Sequence, residues 1–226
     1  MKKQSFVLLS LAALALATGP LAYADTISGL FNTGVDSLGN PLVGGNGVAD
    51  PNYTVISGPG ASIYPLSAVT YNCCYPADQP SGTNGNSRWI SVSIGGSAAA
   101  SGVYDFQTTF SLSGLDPTTA TITGQFAADN HVEETDLNGV AIAGATTDTY
   151  SSYTSFTIPV GSAFVSGLNT LDFLVKDDGA PMALRVDSLE GTASPLGIIS
   201  GVPEPGMIPI LASGLALLAI GRRFRK

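Results

Sequence analysis

Histidine occurs once in this chain, at His131, and cysteine only as the adjacent pair Cys73 and Cys74. A Ser-His-Asp triad would have to recruit that single histidine, and no Gly-x-Ser-x-Gly elbow accompanies it. One histidine without spaced cysteines leaves a zinc site without its usual ligands. There is no Cys-x-x-Cys and no histidine near the pair, which argues against redox catalysis. Carboxylates are plentiful, yet spacing along a sequence does not set two of them across a glycosidic bond. The chain is therefore expected to be non-catalytic. His131 reads as a solvated loop residue beside the start of a strand.

Cations are scarce as well. Lys and Arg number nine against 17 Asp and Glu. Two of the nine, Lys2 and Lys3, stand at the start, and four, Arg222, Arg223, Arg225 and Lys226, stand at the end. Between residues 25 and 202 only Arg88, Lys176 and Arg185 remain. They face 16 carboxylates (17 less Glu204), a net charge of −13. A surface of that sign repels nucleic acid and anionic lipid, whose binding is driven by cations. It suits a solvated extracellular domain, or one that takes calcium.

Both ends read as export signals. Lys2 and Lys3 form a positive start, residues 6–17 an apolar core, and Ala22-Tyr23-Ala24 a small-x-small cleavage site. Signal peptidase would then leave Asp25 as the mature N-terminus. The other end has three parts in strict order. Pro203-Glu204-Pro205 is stiff and extended, because proline fixes its own φ and restricts the residue before it. An apolar run opens at Met207 and closes at Ile220, and the cluster of cations follows. Residues 206–221 would span roughly 24 Å as a helix, against a hydrocarbon core of about 30 Å. The span is short and suits temporary retention, with the cations staying on the cytoplasmic side of the inner membrane.

This tail resembles the PEP-CTERM sorting signal of bacterial secreted proteins. The resemblance covers about the last 25 residues. It implies recognition by an exosortase, a membrane transpeptidase with a cysteine nucleophile, which cuts near the motif and transfers the protein to a surface acceptor. Pro203, Glu204 and Pro205 would then be substrate. A permanent single-helix tail anchor is the competing reading. The expected organisation is a signal peptide at 1–24, an extracellular domain at 25–201 and a sorting segment at 202–226.

Export would place Cys73 and Cys74 in an oxidising space. Their Cα atoms, about 3.8 Å apart, are closer than in ordinary disulfides. A strained vicinal disulfide, a pair of intermolecular bridges and two loop thiols all remain open.

Between the ends, the sequence reads as short strands separated by turns. Strands are expected at 26–32, 53–56, 89–94, 103–112, 121–128, 132–137, 140–143, 156–160, 170–175 and 184–189. Tyr104, Phe106, Thr108, Phe110 and Leu112 alternate onto one face, as do Ile122, Gly124, Phe126 and Ala128. Asn138-Gly139 marks a hairpin turn. Residues 34–52 form a turn-rich loop in which Gly44-Gly45-Asn46-Gly47 lacks the helix and lysine of a phosphate cradle. Residues 58–86 read as a long irregular loop. One helical turn is expected near 161–165. The fold class is all-β, an antiparallel β-sandwich or jelly roll, and Phe106, Phe110, Phe126 and Phe173 should share its interior.

Within residues 87–191 this pattern resembles the galactose-binding-like jelly rolls. The resemblance runs through Tyr104-Asp105-Phe106 to Leu112, Ala127-Ala128-Asp129-Asn130, Leu137-Asn138-Gly139 and Asn169-Thr170-Leu171-Asp172-Phe173. It implies a carbohydrate ligand and assigns no site residues. Two further features bear on ligands. Asp129, Glu134 and Asp136 lie in the densest acidic stretch, which suggests calcium, although Asp129-Asn130 and Asn138-Gly139 also serve as ordinary turns. Tyr64, Tyr71, Tyr75, Tyr150 and Tyr153 lie in loops where they could stack on sugar rings, whereas Trp89 reads as core.

The sequence thus leads to two expectations. One is an exported surface or biofilm-matrix protein, an exosortase substrate associated with exopolysaccharide. The other is a cell-surface carbohydrate-binding module, with or without calcium. The partners in view are signal peptidase, an exosortase and polysaccharide, not nucleic acid.

Overall fold

The structure, a computed structural model, describes residues 24–60, 63–71, 86–96 and 100–197. Ala24 and Asp25 lie within them; Ala22, Cys73, Cys74, Tyr75 and the entire sorting tail lie outside. Among the described residues no helix is long and apolar enough to cross a membrane.

The chain is all-β. Its strands are β1 (Asp25–Thr26), β2 (Ala49–Ser57), β3 (Leu66–Thr70), β4 (Ile90–Ser91), β5 (Gly102–Ser111), β6 (Thr121–Asp129), β7 (His131–Leu137), β8 (Val140–Ala141), β9 (Thr154–Ile158), β10 (Leu168–Asp177) and β11 (Ala183–Ala193). Every pairing is antiparallel, along the path β8-β7-β10-β5-β2-β3-β4-β11-β6-β9, and β1 joins β11 off that path. The strands therefore form one hydrogen-bonded sheet that curls until its two halves face each other. The face-to-face packing expected of a sandwich is present, and β3 and β4 carry the hydrogen bonding from one half to the other.

Alternation explains the curl. The residues read as one-sided are buried: Tyr104, Phe106, Thr108 and Phe110 on β5 with Leu112 just after it, and Ile122, Gly124, Phe126 and Ala128 on β6. Phe126 stacks on Phe156 at 4.9 Å, and both rings meet Phe173 edge-on at 6.1 Å. Gly124 permits this, because a Cβ there would stand 2.8 Å from the Phe156 ring. Phe106, Phe110, Phe126 and Phe173 all lie in the shared core, as expected.

Several expected elements changed. The first strand stops after Thr26, because Gly29 takes a φ of +90°. Only glycine adopts that conformation readily, and a Cβ there would press 3.2 Å from the Phe110 backbone. The strand expected at 89–94 shrinks to β4, since the chain turns where the Gly96 amide donates to the Ser93 carbonyl. The irregular stretch 58–86 contains β3, whose Ala68 and Thr70 are buried. No helix forms at 161–165, where the Ser162 amide closes a turn on the Pro159 carbonyl. The one helical turn among the described residues is 3-10, at Pro117–Thr119, capped by Asp116 accepting from the Thr118 amide.

Three polar clasps hold the loops. Buried Asp50 accepts from the amides of Gly34 (2.6 Å) and Asn52 (2.8 Å), and burial raises its carboxyl to about 6. Arg88 donates to the carbonyls of Leu42 and Gly45, closing the turn-rich loop. The Asn138-Gly139 turn forms with positive φ at both residues. Asn138 then binds the Asn169 side chain and the Thr170 amide.

Candidate functional site

The alternation that sends Phe106, Phe173 and Thr135 inward sends their neighbours outward. β10 lies between β5 and β7, with Asp172 opposite both Gln107 and Asp136, and Leu174 opposite both Asp105 and Glu134. The outer face therefore carries a row Gln107–Asp172–Asp136, with Asp105 and Glu134 one step along.

Asp172 is only 6% exposed, and its Oδ1 accepts from Gln107 Nε2 at 2.7 Å. Asp105 and Asp136 are partly buried, and each has one oxygen, Oδ1, that is buried without a hydrogen-bond partner. Burial raises all three carboxyls above their ordinary range, and the neighbouring acids add to this for Asp105 and Asp136. Asp105 reaches about 7. This face is a place for hydrogen-bond donors or positive charge.

The Asp105 shift predicts a pH dependence. The folded state holds this proton more tightly than the unfolded chain, whose ordinary value is 3.8. Ionised Asp105 therefore costs stability above about pH 7, and that stability returns as pH falls from 7 toward 4. Replacing Asp105 by Asn should stabilise the protein at pH 8 by about 1–2 kcal/mol after allowance for solvent screening. It should also flatten the melting temperature between pH 7 and 5. A variant no more stable than the parent at pH 8 would show that the charge is already compensated.

The expected calcium trio is divided between strands. Asp136 and Glu134 share the outer face of β7, but Asp129 ends β6, buried, with its carboxylate accepting from Asn130. Among the described residues no group of three or more His, Cys, Asp or Glu is arranged to hold a metal ion. The acids that do join Asp136 are Asp105 and Asp172. Their outward positions on alternating strands were the available signal.

His131 opens β7 rather than occupying a loop. It lies 3.5 Å from Glu133 and 3.8 Å from Asp178, and Lys176 lies 3.1 Å from Glu133. These contacts lower the Glu133 carboxyl and raise the Lys176 ammonium. Beside them runs an open groove of about 530 Å³, lined by His131, Glu133, Thr146, Thr147, Asp148 and Thr154.

On another face, Arg185 is wholly buried. Its Nε donates to Ser87 Oγ (2.8 Å), which donates to Asp187 Oδ2 (2.6 Å). Tyr153 and Ser188 also donate to Asp187. Tyr71 and Trp89 pack with Ala127 and Ala183 in a small second core, against which Tyr153 lies. Of the tyrosines considered for stacking, Tyr71 is therefore core, Tyr64 and Tyr153 are half-buried, and Tyr150 is exposed.

No family model matches this chain, and no curated protein matches it. Solved structures do. A cyclase from Fischerella sp. TAU is similar at 12% identity, over 66% of this chain and 87% of that one, with a TM-score of 0.39. The Stig cyclase Fisc from the same source is similar at 13% identity, over 76% and 99%, with a TM-score of 0.43. The CBM36-1 domain of a multidomain xylanase from the hindgut metagenome of Trinervitermes trinervoides is similar at 14%, over 63% and 98%, with a TM-score of 0.33. Likenesses of this extent assign neither an activity nor a ligand.

Proposed function

We propose that this chain is an exported, non-catalytic surface or matrix protein, delivered by its C-terminal segment to an exosortase and held among exopolysaccharide. The observation that carries the reading is the strict order of the tail: Pro203-Glu204-Pro205, an apolar run, then Arg222, Arg223, Arg225 and Lys226. The register of the two terminal strands supports it. Asp25 lies opposite Ala193, so the expected mature N-terminus and the last strand before the tail lie side by side. That arrangement suits a domain hung from one stalk. Its charge of three cations against 16 carboxylates (17 less Glu204) keeps it solvated.

The tail separates two failures. Replacing Pro203 and Pro205 by Ala frees the backbone and lets the apolar helix extend through Glu204. In a host with an exosortase this should leave uncut precursor in the membrane. Deleting the four terminal cations should instead mislocate uncut protein. Intact mass and membrane fractionation read both. Trimming of the alanine variant at the parent's rate would leave the plain tail anchor as the better reading.

A second reading, a carbohydrate-binding module, is favoured by the outer row of Gln107, Asp172 and Asp136, which offers hydrogen-bonding groups on a rigid sheet. A glycan array probed with and without calcium tests it. Binding to no glycan in either condition would leave cohesion as the domain's role.

A further inference from the structure

We propose that the groove beside β7 is a subsite for an amine-bearing saccharide, a hexosamine unit whose ammonium group sits against Asp148. This rests on the carbohydrate-binding reading and deepens it. The groove's volume, about 530 Å³, falls in the range of small-molecule sites, but such sites are usually walled by apolar side chains. Here the lining is the three threonines, Glu133, Asp148 and His131, with Val132 the sole aliphatic residue, so polar groups and the apolar parts of these side chains share the surface about equally. A ligand satisfied by this lining carries hydroxyl groups around its edge.

The groove is firm. Val132 and Thr147 exchange both backbone hydrogen bonds, at 2.8 and 3.2 Å, which ties the loop to β7. Thr147 Oγ1 and Thr154 Oγ1 are 2.8 Å apart. One donates to the other, so the pair keeps one free hydroxyl hydrogen and spare lone pairs.

Charge selects the ligand. Asp148 is exposed, lines the groove, and makes no hydrogen bond or ion pair among the described residues. Glu133, which also lines the groove, is already engaged by Lys176 and His131. The domain's cations are all occupied: Lys176 by Glu133 and Asp178, Arg88 by loop carbonyls, Arg185 in its buried network. No positive group is left over for Asp148, and the surrounding field is negative. An ammonium group supplies what is missing, and an anionic sugar would be repelled.

The test titrates the full chain with a tetramer of β-1,4-linked glucosamine, and with its fully N-acetylated counterpart, by calorimetry. The amine-bearing tetramer should bind, weaken as salt is raised, and lose about tenfold or more in affinity on Asp148→Asn. Asp148 is exposed, so an unchanged melting temperature of the variant would show that it folds. Equal binding of the acetylated tetramer would overturn the role of the amine. Undiminished binding by Asp148→Asn would overturn the groove as the site. Failure to bind either tetramer, with binding elsewhere on a glycan array, would sink this inference and leave the broader reading standing.

Discussion

Replacing Phe173 by Ala should destabilise the domain by about 3–5 kcal/mol, the range for a fully buried phenylalanine. Phe173 is at zero exposure and joins the two halves of the curled sheet. It sits on β10, yet its ring meets Phe126 on β6 and Phe156 on β9, each at 6.1 Å, and Tyr53 on β2 at 6.4 Å. Truncation removes transfer energy and these ring contacts together, and strands fixed by their ladders close poorly over the cavity. Urea unfolding measures the change. Leu38→Ala is the control, since Leu38 is 83% exposed. An equal midpoint for parent and Phe173→Ala would mean that the halves are not packed through this ring.

Arg185→Met should cost about 3 kcal/mol or more. Removing one member of a buried polar network leaves the others desolvated and unpaired. Arg185 Nε holds Ser87 Oγ, and Arg185 Nη2 holds the Ser87 carbonyl at 2.7 Å. Ser87 in turn reaches Asp187, which is 2% exposed. With the guanidinium gone, Asp187 keeps its hydroxyl donors but loses the nearby positive charge. The double variant Arg185→Met with Asp187→Leu should recover part of the stability, because it removes the stranded charge. A double variant no better than the single one would place the cost in packing instead.

The strands most legible in the sequence are those buried on one face. β5, the first half of β6 and the ends of β10 alternate because one side meets the core and the other is more exposed, and period two records that. β11 was legible only in part. From Ala183 through Asp187 both faces are buried, one in the main core and one against Tyr71, Trp89 and the Arg185 network. Alternation disappears there, and a buried arginine offers no hydrophobic signal. β3 is five residues long and lies within a proline-rich stretch, so local composition concealed it. The outward positions of Asp105, Gln107 and Asp172 could be read from the same alternation as the core. Their neighbours could not. β5, β10 and β7 are adjacent only because the sheet order departs from chain order, and a sequence carries no local trace of that. The expected acidic group meets the same limit. Asp129 is close to Asp136 in sequence, but a change of strand at Asn130 separates them.

The central claim is that a β domain is exported and trimmed at both ends. It is tested most directly by intact mass and N-terminal sequencing of the protein recovered from the surface of a host carrying an exosortase. The account predicts a polypeptide that begins at Asp25, ends close to Pro203-Glu204-Pro205, and has lost Arg222, Arg223, Arg225 and Lys226. A surface protein that still carries those four cations would contradict it.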